Sequence, residues 1–187
     1  MTLQEIRQHR KDISVLCLGT WALGGKQFGA VTQEDAVAAV HAMIDCGVNI
    51  VDTAPIYASG GSEEVLGKAL QGGYRDKVFL ITKFGSEFVD PNDSDKGTIK
   101  DSSRKNMLKS IDASLKRLQT DYIDGYLMHW DDRVGTPIEE TIAMHEGAEE
   151  RGEGALPGHV QLERDLARPP AGGRRSGYCS VSLQYDQ

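Results

Sequence analysis

Cysteine is scarce in this chain: Cys17, Cys46 and Cys179 are the three among 187 residues. The count is odd and no C-x-x-C spacing occurs, which excludes a disulfide framework and implies reduced thiols in a cytoplasmic protein. Long hydrophobic runs are also lacking. Nothing approaches the ~18 apolar residues of a membrane span, and the opening MTLQEIRQHRKDISVLCLG has no apolar stretch before a small-residue cleavage site. No membrane partner is expected. Positive charge is in the minority, 21 Lys and Arg against 28 Asp and Glu, for a net charge of −7. No basic run interleaves with aromatics, so nucleic acid is not an expected partner. An anionic cofactor stays open, since it needs only a local patch. Several chemistries lack their motifs. There is no H-E-x-x-H and no paired His/Cys spacing for a metal, no G-x-S-x-G, and no Walker loop. YASGGSEEVLG is glycine-rich but lacks the lysine that would cradle phosphate, and reads as a tight entry into a helix.

What is present alternates between two periodicities. SVLCLGTWALGG reads as a strand and a glycine turn at Gly24 and Gly25. TQEDAVAAVHAMIDCG is a helix with Thr32 as N-cap, Asp35 at N3, an inward face of Val37, Val40 and Ile44, and a stop at Gly47. VNIVDTA and KVFLITKF are strands, separated by a short helix, SEEVLGKAL, with Ser62 as its expected cap. DSSRKNMLKSIDASLKRLQ is a helix in which Leu108, Ile111, Leu115 and Leu118 step onto one face. DYIDGYLMH is a fourth strand, and TPIEETIAM opens a helix with Thr136 as cap and Pro137 at N1. This β-α order implies a parallel sheet with right-handed crossovers. An open doubly wound sheet would want G-x-G-x-x-G after its first strand; GTWALGG is not that. A (β/α)8 barrel is favoured, and barrel sites lie at the carboxyl ends of strands.

Four residues stand at such ends: Asp52, Tyr57, Lys83 and His129. A phenol is a poor acid at neutral pH unless a neighbouring cation stabilises its conjugate base. Lys83, one strand over, could supply that cation, and Asp52 is placed to pair with Lys83. His129 offers a neutral N–H donor to a substrate oxygen. Together they suit protonation of a carbonyl oxygen while hydride arrives at its carbon. No side chain supplies hydride, so a nicotinamide cofactor is implied. Each residue alone has a structural reading as a cap, a packed ring, a solvated charge or a rim histidine; four compatible ones at three strand ends favour chemistry. Trp21 and Trp130 also come just after strand ends and are expected to line a pocket for an apolar substrate.

At these residues the chain resembles the aldo-keto reductase superfamily. GVNIVDTAPIYASGGSEEVLGKAL is similar to that family's D-T-A-x-x-Y-G-x-G-x-S-E-x-x-x-G signature, with Ala58 where glycine is usual. LGTWALGG resembles its first strand and turn, VFLITKFG the strand bearing the lysine, and RLQTDYIDGYLMHW the strand bearing the histidine. The likeness covers about residues 13–144. It implies the first part of a (β/α)8 TIM barrel, about strands one to six of eight, that reduces aldehydes and ketones with NADPH and no metal. It further implies Tyr57 as proton donor activated by Lys83, Asp52 as partner of Lys83, and His129 as the group orienting the carbonyl. Gly19, Thr20, Trp21 and Asp52 would approach the cofactor; Trp21, Tyr57, His129 and Trp130 would meet a small carbonyl substrate. The dipeptide His129-Trp130, in place of His-x-Pro, points to the branch related to potassium-channel β subunits and bacterial general-stress reductases; a non-catalytic barrel fragment or regulatory subunit resembling the former is the alternative. Substrate identity, NADP against NAD, and oligomeric state are not legible.

Residues 1–144 and 145–187 differ in composition. All ten lysines, and every Ile, Phe, Thr, Asn, Met and Trp, precede position 145; residues 145–187 are dominated by Gly, Glu, Arg and Pro. A disordered tail is one reading. A shifted reading frame is the other: starting each codon one base later, His145 to Leu162 can encode MKELKSEGKVRYLGMSNW, a helix end, a lysine-rich turn and a strand. The coding DNA decides between them. In the family the fifth strand carries G-x-S-N, where this chain has Gly158-His159-Val160-Gln161, and SVSLQYDQ resembles the sixth strand with Ser182 where a glutamine is usual. Because such barrels take about 250 residues, the expectation from sequence is a chain of low stability, weak cofactor affinity and impaired turnover.

Overall fold

The computed structural model describes residues 13–24, 29, 31–90, 93–130 and 135–137, with the backbone alone for 93–95, 159–162 and 180–184. The predicted helix after Thr136 lies outside these residues beyond Pro137.

Four parallel strands form the frame: β1 (Cys17–Gly19), β2 (Ile50–Asp52), β3 (Phe79–Phe84) and β6 (Gly125–Met128). They pair in sequence order, with Gly19 beside Asp52, Asp52 beside Ile81, and Ile81 beside Gly125. Helices α1 (Gln33–Asp45), α2 (Gly61–Ala69) and α3 (Arg104–Leu118) are the crossovers. This is the first part of an α/β barrel, as the element order implies.

Helices α1 and α3 begin where a side chain can take an orphan amide. The Thr32 hydroxyl accepts from Asp35 N at 3.1 Å, and the Ser103 hydroxyl accepts from Asn106 N at 3.4 Å. Helix α2 departs from expectation. Its cap is Gly60, at φ +92°, and Ser62 lies buried inside the first turn with no partner for its hydroxyl. A glycine whose backbone turns left-handed ends the preceding loop without a side-chain cap.

Successive strand residues face opposite ways, and that alternation sorts the molecule into two sides. Val51, Leu80, Phe84, Tyr126 and Met128 face the helices and pack with Val40, Ile44, Leu66, Met107, Ile111 and Leu118. Val51, Leu66, Leu80 and Leu118 are fully buried, each stabilising the fold by about 1.5–3 kcal/mol. Asp52, Ile81, Lys83 and Leu127 occupy the other face. In α3 the inward stripe is Met107, Ser110, Ile111, Ser114 and Leu118, with Leu115 packed at its edge. Leu108 is only half-buried, so the expected stripe is rotated by one residue. Small serines on the buried face let α3 approach closely, a signal that apolar periodicity does not carry.

Two features fall outside the expected alternation. A two-stranded antiparallel hairpin, β4 (Glu87–Asp90) with β5 (Asp93–Ile99), is inserted between β3 and α3. The second is β7 (His159–Leu162) and β8 (Ser180–Gln184). The segment resembling a sixth strand, β8, lies directly beside β6 and antiparallel to it, and the segment in the fifth strand's place, β7, lies outside β8. A parallel neighbour needs a long crossover, usually a helix with an apolar stripe. The Gly-, Glu-, Arg- and Pro-rich sequence after residue 144 offers none, whereas antiparallel pairing makes no such demand.

Candidate active site

The site grows from the carboxyl ends of β2, β3 and β6. Lys83 leaves β3 on the face away from the helices and is buried. Its three ammonium hydrogens have three acceptors: Asp52 Oδ1 at 2.7 Å, the Thr53 carbonyl at 2.9 Å and Tyr57 Oη at 3.1 Å. An ammonium has three donors and no acceptor, so its capacity is used in full. Tyr57 Oη accepts from Lys83, which leaves the phenol's own hydrogen free to be donated outward.

Tyr57 is presented by an unusual turn. Its amide donates to the Ala54 carbonyl at 3.1 Å. Ala58 (φ 51°), Ser59 (φ 55°) and Gly60 (φ 92°) then continue in left-handed conformation before α2 begins. The loop after β1 rests on this entry: a Cβ on Gly24 would come within 2.4 Å of the Gly61 and Ser62 backbone.

His129, the residue after β6, lies edge-on to Tyr57 with ring centroids 5.8 Å apart. Its backbone amide donates to the Phe84 carbonyl at 2.9 Å, which fixes it beside β3. Burial above all, and then the Lys83 ammonium, push the imidazole down to about 4, against the opposing pull of Asp52. The ring is therefore neutral at physiological pH, with one nitrogen donating and the other accepting.

The four residues singled out from sequence are thus together. The remaining candidates divide. Thr20 is fully buried, and both its amide (3.0 Å) and its hydroxyl (2.9 Å) donate to the Asp52 carbonyl. Its hydroxyl serves the frame and is not directed outward. Gly19 has open space where a Cβ would project, on the same strand row as Asp52. Trp21 is 60% exposed and Trp130 50% exposed, both on the rim. Trp130 adjoins His129, with centroids 5.9 Å apart, and Lys100 Nζ lies 4.1 Å from its ring centroid.

A nicotinamide's reacting end fits this set: Gly19 leaves room, Tyr57 offers a proton and the neutral His129 offers a hydrogen bond. The segment that stands in the place of the family's G-x-S-N does not lie beside β6 as a parallel fifth strand, since His159, Val160 and Gln161 lie in outer strand β7. A separate open depression of about 590 Å³, lined by Arg75, Asp76, Lys116, Thr120 and Tyr122, lies at the opposite, amino ends of β3 and β6. It gathers no comparable set. Arg75 is occupied there by Asp124 (2.7 Å) and by the carbonyls of Val78 and Tyr122.

Sequence reading missed Glu63, which is fully buried behind the site and bonded to Thr82 and Arg117. The available signal was a glutamate two residues after a double glycine, in a helix whose other inward residues are small or apolar.

The family model for "Aldo/keto reductase family" matches residues 15–154, three quarters of the chain. The chain belongs to the aldo/keto reductase family. It is 39% identical over 134 residues to the aldo-keto reductase YhdN of Bacillus subtilis, covering 71% of this chain and 39% of that protein. It is 32% identical over 165 residues to an NADH-specific methylglyoxal reductase of Escherichia coli, covering 83% and 51%. Among solved structures, an aldo/keto reductase from Klebsiella pneumoniae in complex with NADP and acetate superposes with a TM-score of 0.56 at 37% identity, over 72% of this chain and 41% of that one. The chain spans about half, or less, of the length of each.

Proposed function

We propose that this site reduces aldehyde and ketone carbonyls to alcohols, with NADPH as hydride donor. The observation that carries the reading is the branched contact of Lys83, which meets Asp52 at 2.7 Å and Tyr57 at 3.1 Å beside a neutral His129. A reduced nicotinamide, when bound, supplies hydride to the carbonyl carbon. The chain's residues handle the oxygen. Tyr57 donates its free hydrogen to the carbonyl oxygen as negative charge develops there. Lys83 stabilises the phenolate that remains, and Asp52 holds the lysine in register. His129 donates an N–H to the same oxygen and fixes its direction, while Trp21 and Trp130 offer apolar surface for the rest of the substrate. Solvent then returns a proton to Tyr57, so the net change is one hydride and one proton added across the C=O bond. Gly19, Trp21 and Asp52 line the approach of the nicotinamide.

Relatives support the coarse reading by name, one as a reductase of methylglyoxal and one crystallised with NADP. They divide on the cofactor, so the choice of NADPH needs its own measurement. Methylglyoxal serves as the probe substrate, with NADPH or NADH consumption monitored by absorbance. Tyr57→Phe is expected to lower the rate by about 10²–10⁴-fold, the range for a lost general acid, while circular dichroism stays that of the parent. An unchanged rate in that variant would remove the assigned acid, and faster consumption of NADH than of NADPH would overturn the cofactor choice.

A further inference from the structure

Behind the site, on the helix-facing side of the sheet, lies a charged cluster that the chemistry above does not use. Glu63, in the first turn of α2, has no exposed surface. Thr82 Oγ1 donates to its Oε1 at 2.6 Å, and Arg117 Nε donates to its Oε2 at 2.7 Å. Arg117 also donates from Nη2 to Ser114 Oγ at 3.3 Å, and a quarter of its side chain is exposed. Burying a carboxylate is costly, and an apolar pair of similar volume often serves stability as well or better. Filling space therefore does not account for Glu63.

Its two partners do. Thr82 immediately precedes Lys83, and because strand residues alternate, Thr82 faces Glu63 while Lys83 faces the site. The Arg117 stem lies against Gly60, where a Cβ would come within 2.8 Å of Arg117 Cδ. Gly60 closes the left-handed turn that starts after Tyr57. One carboxylate oxygen thus grips the strand that carries the lysine. The other grips the guanidinium on which the tyrosine's turn rests.

We propose that Glu63 is a positioning residue: it sets the distance between Tyr57 and Lys83 by anchoring Thr82 with one oxygen and Arg117 with the other. This rests on the carbonyl-reduction reading above. Tyr57 stands in the turn after β2 and Lys83 in β3, so their 3.1 Å contact joins two separate elements, and Glu63 reaches the supports of both.

The test uses the full chain carrying Glu63→Gln. Glutamine keeps one amide oxygen for Arg117 Nε but carries no charge, and its NH2 can meet Thr82 only by donating to a hydroxyl that turns round to accept. The grip on Arg117 thus loses its charge and the one on Thr82 is reversed, at nearly constant volume. The expected result is a fall in kcat of about tenfold or more with KM for methylglyoxal changed by less than about twofold, since misplacement of reacting groups acts on the transition state. A crystal structure of the variant is expected to show Lys83 Nζ and Tyr57 Oη separated beyond ~3.5 Å. Thr82→Val, which leaves the ion pair intact, is expected to lower kcat in the same direction and carries the test if Glu63→Gln does not fold. A variant that melts lower yet keeps kcat within about twofold and the tyrosine–lysine contact in place would overturn the proposal and make Glu63 purely structural. Tyr57→Phe is assayed alongside. If it keeps the parent rate, the acid assignment has failed, and the Glu63 proposal is decided by the Nζ–Oη distance alone.

Discussion

Lys83 Nζ and Asp52 Oδ1 are 2.7 Å apart, with the lysine side chain 11% exposed and the aspartate 30% exposed. The ammonium is the more deeply placed partner, so the aspartate is what makes its charge tolerable there. Asp52→Asn keeps an amide oxygen beside the ammonium but removes the negative charge that compensates it. Breaking a fully buried pair costs about 3–5 kcal/mol; partial exposure screens this one, and a loss of about 1–3 kcal/mol in urea denaturation is expected. The double variant Asp52→Asn with Lys83→Met should recover part of the loss, because the unpaired charge is gone. Equal stability of the single variant and the parent would show that solvent already neutralises the lysine.

His129 links site and stability through pH. Folded, its imidazole titrates at about 4, against an ordinary value of 6.5. Between those values the unfolded chain takes up a proton that the folded chain refuses. Stability from this group is therefore complete above about 6.5, falls as pH drops, and levels off near 4. Carboxylates titrate in the same window, so the measured quantity is the difference between the parent and His129→Gln. The variant should lose less stability between pH 7 and pH 4 in urea titrations. Because the ring is only half-buried, the effect should be smaller than the full shift implies. Parallel curves for the two proteins would mean that the ring titrates normally.

The site was more legible in the sequence than the frame behind it. Asp52, Lys83 and His129 stand at the ends of short apolar runs, and a strand's carboxyl end is a local feature. Tyr57 comes next at a spacing that one turn spans. Other relationships depend on which face of one element meets another. Serines 110 and 114 sit on the buried face of α3, so its inward stripe runs through Met107 and not Leu108. Ser62 looked like a helix cap, but Gly60 takes that position by turning left-handed. The hairpin β4–β5 carried one sequence signal, Pro91-Asn92 between runs with β-forming residues, a turn-former pair. Glu63 stands in the S-E of the family-like signature, but its role was not legible because its partners lie 19 and 54 residues away. The antiparallel placement of β8 arises from pairing choices that no local pattern records.

Ala58 tests the backbone of the turn that presents Tyr57. It sits at φ 51° and ψ 37°, where a residue with a Cβ costs about 1–2 kcal/mol. Glycine removes that strain but gives up about 0.5–1 kcal/mol to the freedom of the unfolded chain. Ala58→Gly is therefore expected to gain about 0.5 kcal/mol, seen as a small rise in Tm. A fall in Tm would mean that the methyl group has a packing role which outweighs the strain.

Gly67 sets how near α2 can come to α3. A Cβ there would stand 2.4 Å from the Arg117 carbonyl oxygen and 2.8 Å from the Leu118 carbonyl carbon. Both are backbone atoms at the end of a helix and cannot swing aside. Alanine is the better helix former by about 1 kcal/mol, but overpacking against a fixed wall costs about 1–3 kcal/mol and occasionally more. Gly67→Ala should therefore lose up to about 2 kcal/mol in urea denaturation. Gly125→Ala is the matched comparison, since its Cβ would meet Ile81 Cγ1 at 3.1 Å, a side-chain atom that can shift. It should cost less than Gly67→Ala. Because Arg117 also holds Glu63, a displaced α3 should carry that contact with it, and Gly67→Ala should slow turnover where Gly125→Ala does not. Equal losses in the two variants would show that the α2–α3 spacing yields as readily as a single side chain.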